Sequence, residues 1–292
     1  MNFRTDLTIE RREMIKTHLE GVEVNEHNNS ECKTTVIDIK TEDAAQKLGK
    51  CVGRYITLEM SAFSDDAAVS DGRLKALTES IKMLLPEGDG TVVVVGVGNL
   101  QMTADALGPE TASKIFATRH IDDELRKSAG ISNELRSVAA FSTGVLGQTG
   151  IESSEFIKSV CQAVKPCCVI TIDALAAGRI SRLGNTVQMS DTGISPGSGI
   201  GNSRKRIDES YLGVPVIAIG IPTVVDAVSL ASEISGMNAD EINNRGVLHD
   251  NALVVASKDV DLLIKNASYL LALAINCALQ PTLTPQELYA LM

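Results

Sequence analysis

The sequence predicts an α/β fold, a single domain in which a mostly parallel, twisted sheet carries helices on both faces. Two observations support this prediction. Residues 91–95 form an uninterrupted run of β-branched side chains, which is typical of a strand buried on both faces in a parallel sheet. Apolar strand patterns also alternate along the chain with stretches of helical spacing, which is the pattern of a sheet covered by helices on both sides.

The elements follow in order from local signals. Strands are expected at 34–40, 54–60, 91–95, 138–141, 167–172, 186–189 and 214–220, where apolar or alternating runs occur. Helices are expected at 8–19, 41–49, 71–85, 109–117, 152–164, 224–234 and 260–279. Thr41 suits a helix N-cap, and the PEGDG stretch at 86–90 ends the third helix. The polar stretch 21–31 and the glycine-rich stretch 191–202 are expected to be loops.

The composition fits one large folded domain and excludes several classes of protein. The chain has 292 residues, of which 44% are hydrophobic. No apolar run reaches the roughly 18 residues of a membrane span, and the charged opening of the chain lacks the apolar region of a signal peptide, so we expect neither. Six cysteines without a CxxC pair indicate reduced thiols rather than structural zinc. A net charge of −10 argues against direct binding to nucleic acid.

Two predicted strands are each followed by the tripeptide Asp-Ala-Leu. The strand at 91–95 ends in a Gly-Val-Gly-Asn turn before Asp105, and the strand at 167–172 runs directly into Asp173. Parallel strands bring their carboxyl ends to one sheet edge, where ligands bind in open α/β sheets. Two carboxyl groups at one site do not both ionise easily, so one can act as an acid and the other as a base towards a water molecule. The alternative is that each Asp caps the helix after it, and the pattern alone leaves both interpretations open.

Three other kinds of site fit the sequence less well. The turn at 96–99 suggests dinucleotide binding, but Gln101 stands where the third glycine belongs; a nucleotide-binding module remains the non-enzymatic alternative. The GISPG stretch at 193–197 matches the letters of a nucleophile elbow around Ser195, but Pro196 stands where the helix should begin. The four histidines include no pair at zinc-ligand spacing.

Several blocks of the sequence resemble the germination proteases of spore-forming bacteria. The blocks are RTDL at 4–7, GVGNLQMTADALGP at 96–109, GVLGQTGIES at 144–153, IDALAA at 172–177, SDTGISPGSGIGNSRK at 190–205 and GVPVIAIGIPTVVDA at 213–227, and the resemblance covers nearly the whole chain. It implies an endopeptidase that initiates degradation of the small acid-soluble proteins of dormant spores, with Asp105 and Asp173 as the catalytic pair and with no cofactor or metal. The fold it implies is that of the hydrogenase-maturation endopeptidases.

The resemblance also implies a zymogen that cleaves itself near its N-terminus. Substrates of the family are cut after an acidic residue and before an apolar one, with Thr or Ser just upstream and Glu a little downstream. The stretch TDLTIE at 5–10 has that form, so we predict self-cleavage between Asp6 and Leu7. Residues 1–6 would then be a propeptide and residues 7–292 the catalytic endopeptidase domain. The alternative is an ordinary charged terminus.

Two glycine-rich loops are predicted to line the substrate cleft, because small residues allow a close approach to a peptide backbone. The predicted substrate-binding positions are Gly144, Gly147 and Gln148 in the first loop and Asp191, Ser195 and Gly197 in the second. Asp191 is also a candidate third acidic group, although a turn-forming role suits it better.

The remaining expectations come from the resemblance. The substrate partners are small acid-soluble spore proteins, the assembly is a homotetramer, and the location is the cytoplasm of the spore core or forespore, with no direct contact to nucleic acid or membrane. The alternative enzyme is a nickel-binding endopeptidase of the hydrogenase-maturation type, but no histidine here matches the ligand of those enzymes.

Overall fold

The structure is a computed structural model. It describes residues 5–15, 19–64, 71–121, 124, 128, 134–200, 204–238, 241–242 and 253–292.

One mixed sheet organises the described residues. Its strands are β1 (Val22–Asn28), β2 (Cys32–Ile39), β3 (Gly53–Met60), β4 (Val92–Gly96), β5 (Val138–Ser142), β6 (Cys168–Ala177), β7 (Thr186–Ser190), β8 (Val216–Asp226) and β9 (Val254–Ala256). The strand order is β1-β2-β3-β7-β8-β6-β4-β5, and β9 pairs with β8. The α/β fold in a single domain is therefore confirmed.

The parallel part of the sheet consists of β8, β6, β4 and β5. The strands β1, β2, β3 and β7 extend it as an antiparallel wing, which joins the parallel part where β7 pairs with β8. The carboxyl ends of the four parallel strands consequently meet at one edge, as the sequence predicts.

Helices cover both faces of the parallel part. The helical segments of at least four residues are Thr8–Met14, Glu42–Leu48, Asp71–Leu84, Leu107–Ala112, Leu146–Thr149, Ser153–Val164, Glu209–Leu212, Ala227–Ser235, Val260–Leu279 and Pro285–Ala290. Alternate side chains of β4 serve the two sides, as the period of two along a strand requires. Val92 and Val94 belong to the core cluster that includes the helix Val260–Leu279, and Val93 and Val95 pack with Ile157 on the other face.

The helix Val260–Leu279 is a core helix of the fold. Among the described residues it alone is long and apolar enough to pass a membrane-span test, but 78% of its most apolar window is buried inside the protein. Its contacts with the helices Asp71–Leu84 and Leu107–Ala112 account for that burial.

The polar stretch 21–31, expected to be a loop, contains the edge strand β1, so that prediction is wrong. Most of β1 is exposed, so no apolar alternation marks it in the sequence. Its backbone pairs in register with β2 over its whole length. Exposed ion pairs lie along this pairing, Glu26 with Lys33 of β2 at 2.9 Å and Glu23 with Lys40, the residue after β2.

The strand expected at 167–172 continues to Ala177, so Asp173 lies inside β6 rather than after it. The partner strand β8 likewise runs to Asp226, six residues beyond its expected end. The neighbour on the other side, β4, stops at Gly96, which is paired with Ile172. Asp173 is therefore the first residue of β6 beyond the end of β4, and it is paired with Gly220 of β8 alone.

Candidate active site

Asp105 is positioned by the tight turn that follows β4. The amide of Asn99 donates to both the backbone carbonyl of Asp105, at 3.1 Å, and its carboxylate, at 2.8 Å. Gly98 makes this possible, because its φ of +122° favours glycine and a Cβ there would lie 2.2 Å from the Asp105 carbonyl oxygen. Burial raises the pKa of Asp105, and the hydrogen bond from Asn99 only partly opposes this effect.

Asp173 is 5% exposed and lies at the same edge of the sheet. Its carboxylate accepts a hydrogen bond from the amide of Ala174 at 3.0 Å. Burial, followed by the negative charges of Asp105 and Asp6, raises the pKa of Asp173 well above its usual value. Asp105 and Asp173 thus form a coupled pair, and such a pair retains a proton at a pH where an exposed Asp has lost it.

Neither Asp caps a helix. The helix Leu107–Ala112 begins after Ala106 without a side-chain cap, and Asp173 is followed by further residues of its strand. The capping interpretation therefore does not apply. The GVGN turn leads into the single 3₁₀ turn Thr103–Asp105 rather than into a long helix, so it lacks the helix terminus of a dinucleotide site.

Two cavities adjoin at Asp173. The aspartate cavity, of about 410 Å³, is lined by both Asp105 and Asp173. The lysine cavity, of about 420 Å³, is lined by Lys50, Gln188 and Asp173. Asp6 also lines both cavities, so it lies where they adjoin.

Asp6 is bound to the end of β6 by backbone and side chain. Its amide donates to the carbonyl of Ala176 at 3.0 Å, and its carboxylate accepts from the amide of Ala176 at 2.9 Å. The other carboxylate oxygen accepts from the hydroxyl of Ser198 at 2.8 Å. Gly199 leaves room for this carboxylate, since a Cβ there would lie 2.2 Å from it.

The carbonyl oxygen of Asp6 has its own two donors. Lys50 Nζ donates to it at 2.6 Å and Gln188 Nε2 at 2.9 Å. This oxygen belongs to the peptide bond between Asp6 and Leu7, at which we predict self-cleavage.

The residues after Asp6 are also held in defined places. Leu7 is fully buried in an apolar cluster that includes Ile37, Leu48 and Leu175. Glu10 is 1% exposed, and its carboxylate accepts from the amides of Gly178, at 2.8 Å, and Arg179, at 3.0 Å, and from the hydroxyl of Thr5. Burial raises the pKa of Glu10 in spite of these donors. Asp6 thus lies in the groove that the two cavities form, and the chain continues through Leu7 into the helix that begins at Thr8.

The predicted loop residues divide into two groups. Gly147 lines the aspartate cavity, Ser195 lines the lysine cavity, and Gly197 lines both. Gly144, Gln148 and Asp191 line neither.

The three residues outside the cavities act on the loops around them. Gln148 Nε2 donates to Asn99 Oδ1 at 2.7 Å, which ties the first glycine-rich loop to the turn of Asp105. Gly144 begins that loop with a φ of +67°. Asp191 accepts from the amide of Arg54 at 2.8 Å, which joins the end of β7 to β3.

The described side chains do not form a set of ligands that fits a metal ion. Among the described residues, no three His, Cys, Asp or Glu side chains are grouped so that they could hold a metal ion. His27 lies on the exposed strand β1 and His120 in an exposed turn, both away from the residues that line the two cavities. We therefore assign no step to a metal.

Sequence reasoning missed Lys50, Gln188 and Ser198, which contact Asp6. Lys50 follows the glycine that ends the helix Glu42–Leu48, and Gln188 is an ordinary polar residue on β7. Their contacts with Asp6 span 44 and 182 residues of sequence, so no local spacing could indicate them.

A groove at the sheet edge that holds a chain segment near one buried and one half-buried carboxyl group is the arrangement expected of a peptidase. The comparison with known families agrees: the sequence model of the germination proteases matches residues 4–237. The chain belongs to the germination protease family.

Curated relatives match over most of their length. The germination protease of Caldanaerobacter subterraneus subsp. tengcongensis is 42% identical over an alignment covering 100% of this chain and 98% of that protein. The germination protease of Clostridium perfringens is 36% identical over 98% of each chain. The germination protease of Priestia megaterium is 42% identical over 79% of this chain and 65% of its own.

A search of solved structures finds a NiFe hydrogenase maturation protease from Thermococcus kodakarensis. It is 15% identical, with a TM-score of 0.37, and the match covers 67% of this chain and 98% of that one.

Proposed function

We propose that this germination protease is an endopeptidase that initiates the degradation of small acid-soluble spore proteins, that it is made as a self-processing zymogen, and that Asp105 and Asp173 activate the attacking water. The single observation that carries the proposal is the position of Asp6. Asp6 lines the cavity that both Asp105 and Asp173 line, and its charge adds to burial in raising the pKa of Asp173.

The chemistry follows from the shared proton. The ionised member of the pair takes a proton from water as its oxygen attacks the carbonyl carbon, and the protonated member donates to the departing amide nitrogen. Both carboxyl groups have raised pKa values, so one proton stays on the pair at mildly acidic pH. General acid–base catalysis of this kind contributes about 10²–10⁴-fold in rate for each positioned group.

The first substrate is the protein's own N-terminus. Cleavage between Asp6 and Leu7 releases residues 1–6 and leaves residues 7–292 as the catalytic endopeptidase. The side chains that the family's substrates share each have a partner in this chain: Asp6 contacts Ser198, Leu7 enters the apolar cluster, and Glu10 accepts from Gly178 and Arg179. A small acid-soluble protein would use the same contacts.

The setting of the activity is the spore. Its substrates are stored in the spore core, so we propose that the enzyme works in that cytoplasm and in the forespore. We propose a homotetramer on the strength of the family resemblance, and equilibrium sedimentation of the purified chain tests it: a mass near four chains supports the tetramer, and a monomer contradicts it.

The test of the proposed function is cleavage by three forms of the full chain. The unmodified protein, Asp105→Asn and Asp173→Asn are each incubated with a small acid-soluble spore protein at mildly acidic pH, and the N-termini of all products are read by mass spectrometry. We expect cuts after acidic residues and a new terminus at Leu7 for the unmodified chain only.

A matched control is Asp43→Asn, because Asp43 is an exposed helix residue whose ion pair is with Lys47. It should cleave at the unmodified rate. Activity that survives in Asp105→Asn or Asp173→Asn removes that residue from the chemistry.

A further inference from the structure

The carbonyl oxygen of Asp6 accepts two hydrogen bonds from side chains that general acid–base catalysis leaves without a role. Lys50 Nζ lies 2.6 Å from this oxygen and Gln188 Nε2 lies 2.9 Å from it. A peptide carbonyl develops negative charge on its oxygen when water adds to its carbon. Donors fixed at that oxygen stabilise the transition state, and they do so most strongly where water is excluded.

Lys50 is held by its backbone. The helix Glu42–Leu48 ends at Gly49, whose left-handed φ of +63° turns the chain, and the Lys50 amide then donates to the Ala45 carbonyl at 3.0 Å. Burial lowers the pKa of Lys50 to about 8, an effect that Asp6 opposes and that Arg11 and Arg206 add to. The ammonium is therefore charged through the acidic and neutral range.

Gln188 is oriented by a second contact. Its Oε1 accepts from the amide of Thr8, and an amide N–H can only donate. The side-chain oxygen must therefore face Thr8, which leaves the NH₂ group towards the carbonyl of Asp6. Since β7 is paired with both β3 and β8, the backbone that carries Gln188 is fixed within the sheet.

The two donors and Asp105 line different cavities. Lys50 and Gln188 line the lysine cavity, whereas Asp105 lines the aspartate cavity. Asp6 and Asp173 line both. Asp6 and Asp173 thus connect the donors of the carbonyl oxygen to the cavity that holds Asp105.

We propose that Lys50 and Gln188 are catalytic residues that form the oxyanion site of this enzyme. The inference rests on the proposed function, in that the bond between Asp6 and Leu7 must be the bond that is cut. Peptide substrates with an acidic residue in the place of Asp6 would present their carbonyl to the same two donors.

The step is a hydrolysis and balances with one water. The water oxygen bonds to the carbonyl carbon of Asp6, its proton passes to the ionised carboxylate, and the carbonyl π electrons move to the oxygen held by Lys50 and Gln188. When this intermediate collapses, the carbon–nitrogen bond breaks and the nitrogen of Leu7 takes the proton of the other carboxyl group. The products are a carboxyl group on Asp6 and an amino group on Leu7.

The experiment compares Lys50→Met and Gln188→Glu with the unmodified full chain. The first substitution removes the ammonium, and the second keeps the acceptor for Thr8 but replaces the donor to Asp6. We expect each to lower the first-order rate of appearance of the Leu7 terminus by about 10²–10³-fold, the usual cost of losing an oxyanion donor. Lys50→Arg should recover part of the rate.

The matched control is Lys47→Met, because Lys47 lies on the helix that precedes Lys50 and its ammonium is exposed. It should self-process at the unmodified rate. A second measurement tests whether Lys50 merely holds the segment in place. Hydrogen–deuterium exchange of residues 5–10, in an Asp105→Asn background that keeps the bond intact, should stay protected in Lys50→Met.

The outcomes separate this inference from the proposed function. Suppose that Asp105→Asn and Asp173→Asn form no Leu7 terminus, while folded Lys50→Met and Gln188→Glu form it at the full rate. The oxyanion site is then contradicted, and the catalytic role of the Asp pair is supported. Loss of both rate and exchange protection in Lys50→Met also overturns it, because Lys50 then only seats the segment. If the unmodified chain never forms the Leu7 terminus, the self-processing function and the oxyanion site both fall.

Discussion

At the scale of single residues, the site buries the carboxyl group of Asp173, which is unfavourable for its ionised form but suits the proposed acid–base chemistry. Asp173 is almost inaccessible to solvent, and besides the adjacent amide it faces two further carboxylates, those of Asp105 and Asp6. Burial and these two negative charges raise its pKa. A residue in that position weakens the fold whenever it must ionise, which is the usual trade between stability and activity at functional sites.

Asp173→Asn should therefore stabilise the protein at neutral pH. The pKa of Asp173 is raised in the folded state above its usual 3.8, so the folded chain keeps a proton that the unfolded chain releases. Stability from this group is complete below 3.8 and is lost as the pH rises towards the folded pKa. The asparagine side chain does not ionise, so the variant does not lose this stability. The Tm of the variant should equal that of the unmodified protein at about pH 3.5 and exceed it by a growing margin as the pH rises. The margin should reach a few degrees at about pH 7, since each kcal/mol corresponds to about 2–4 °C.

Thermal unfolding of both proteins across that pH range is the measurement. The variant Asp43→Asn, which alters an exposed carboxylate, should show no growing advantage. A Tm difference for Asp173→Asn that shrinks with rising pH would contradict the assignment of its raised pKa.

At the scale of elements, the N-terminal helix Thr8–Met14 is joined to the sheet by the burial of Ile9 in an apolar cluster and by ion pairs with one arginine. Arg182 is 8% exposed and reaches Glu13 at 2.6 Å, Glu59 at 2.9 Å and Glu10 at 3.8 Å. Glu10 and Glu13 belong to the helix, and Glu59 belongs to β3. One guanidinium thus compensates three carboxylates and fixes the helix beside the groove.

Arg182→Met should lower the free energy of unfolding by about 3 kcal/mol. Removal of one partner from a buried ion pair leaves uncompensated charge, which costs about 3–5 kcal/mol, and the lower end applies because Glu13 and Glu59 stay about a third exposed. Urea unfolding monitored by circular dichroism measures the change. Arg179→Met is the control, because Arg179 is an exposed partner of Glu13 and its loss should cost about 1 kcal/mol or less. Equal costs for the two variants would contradict this role.

At the scale of the whole molecule, the groups in the groove predict a bell-shaped pH dependence for self-processing. The rate should fall at low pH, where both members of the Asp pair are protonated and no base remains. It should fall by up to about tenfold for each pH unit above the pKa at which the pair loses its shared proton. Lys50, with a pKa of about 8 set by burial against the opposing charge of Asp6, adds a further loss above that pH.

The measurement is the rate of formation of the Leu7 terminus between pH 4 and 10, read by mass spectrometry. In Lys50→Arg the loss specific to pH 8 should disappear, because a guanidinium stays charged over this range. A rate that rises through pH 8–10 in the unmodified chain would contradict both assignments.

How much of this molecule could be predicted from sequence depends on the range of the interaction. The run at 91–95 and the turn after it are local, and they correctly predicted the buried strand β4 and the position of Asp105 at its carboxyl end. The strand β1 was not predicted because neither of its faces is apolar. The extension of β6 was not predicted because Ala-Leu-Ala-Ala suits a helix as well as a strand. The side chains that donate to Asp6 were not predicted because only the folded topology brings residues 6, 50 and 188 together.

The burial of Leu7 and Glu10 has a consequence for the protein after the cut. Removing residues 1–6 breaks none of the contacts of Glu10 with Gly178 and Arg179, so the new N-terminus starts out as a tethered competitor within the groove. A tether this short corresponds to an effective concentration on the order of millimolar. A spore protein must displace this N-terminal segment before it can bind. Full activity towards other chains should therefore lag behind the appearance of the Leu7 terminus, and during the lag it should depend on substrate concentration.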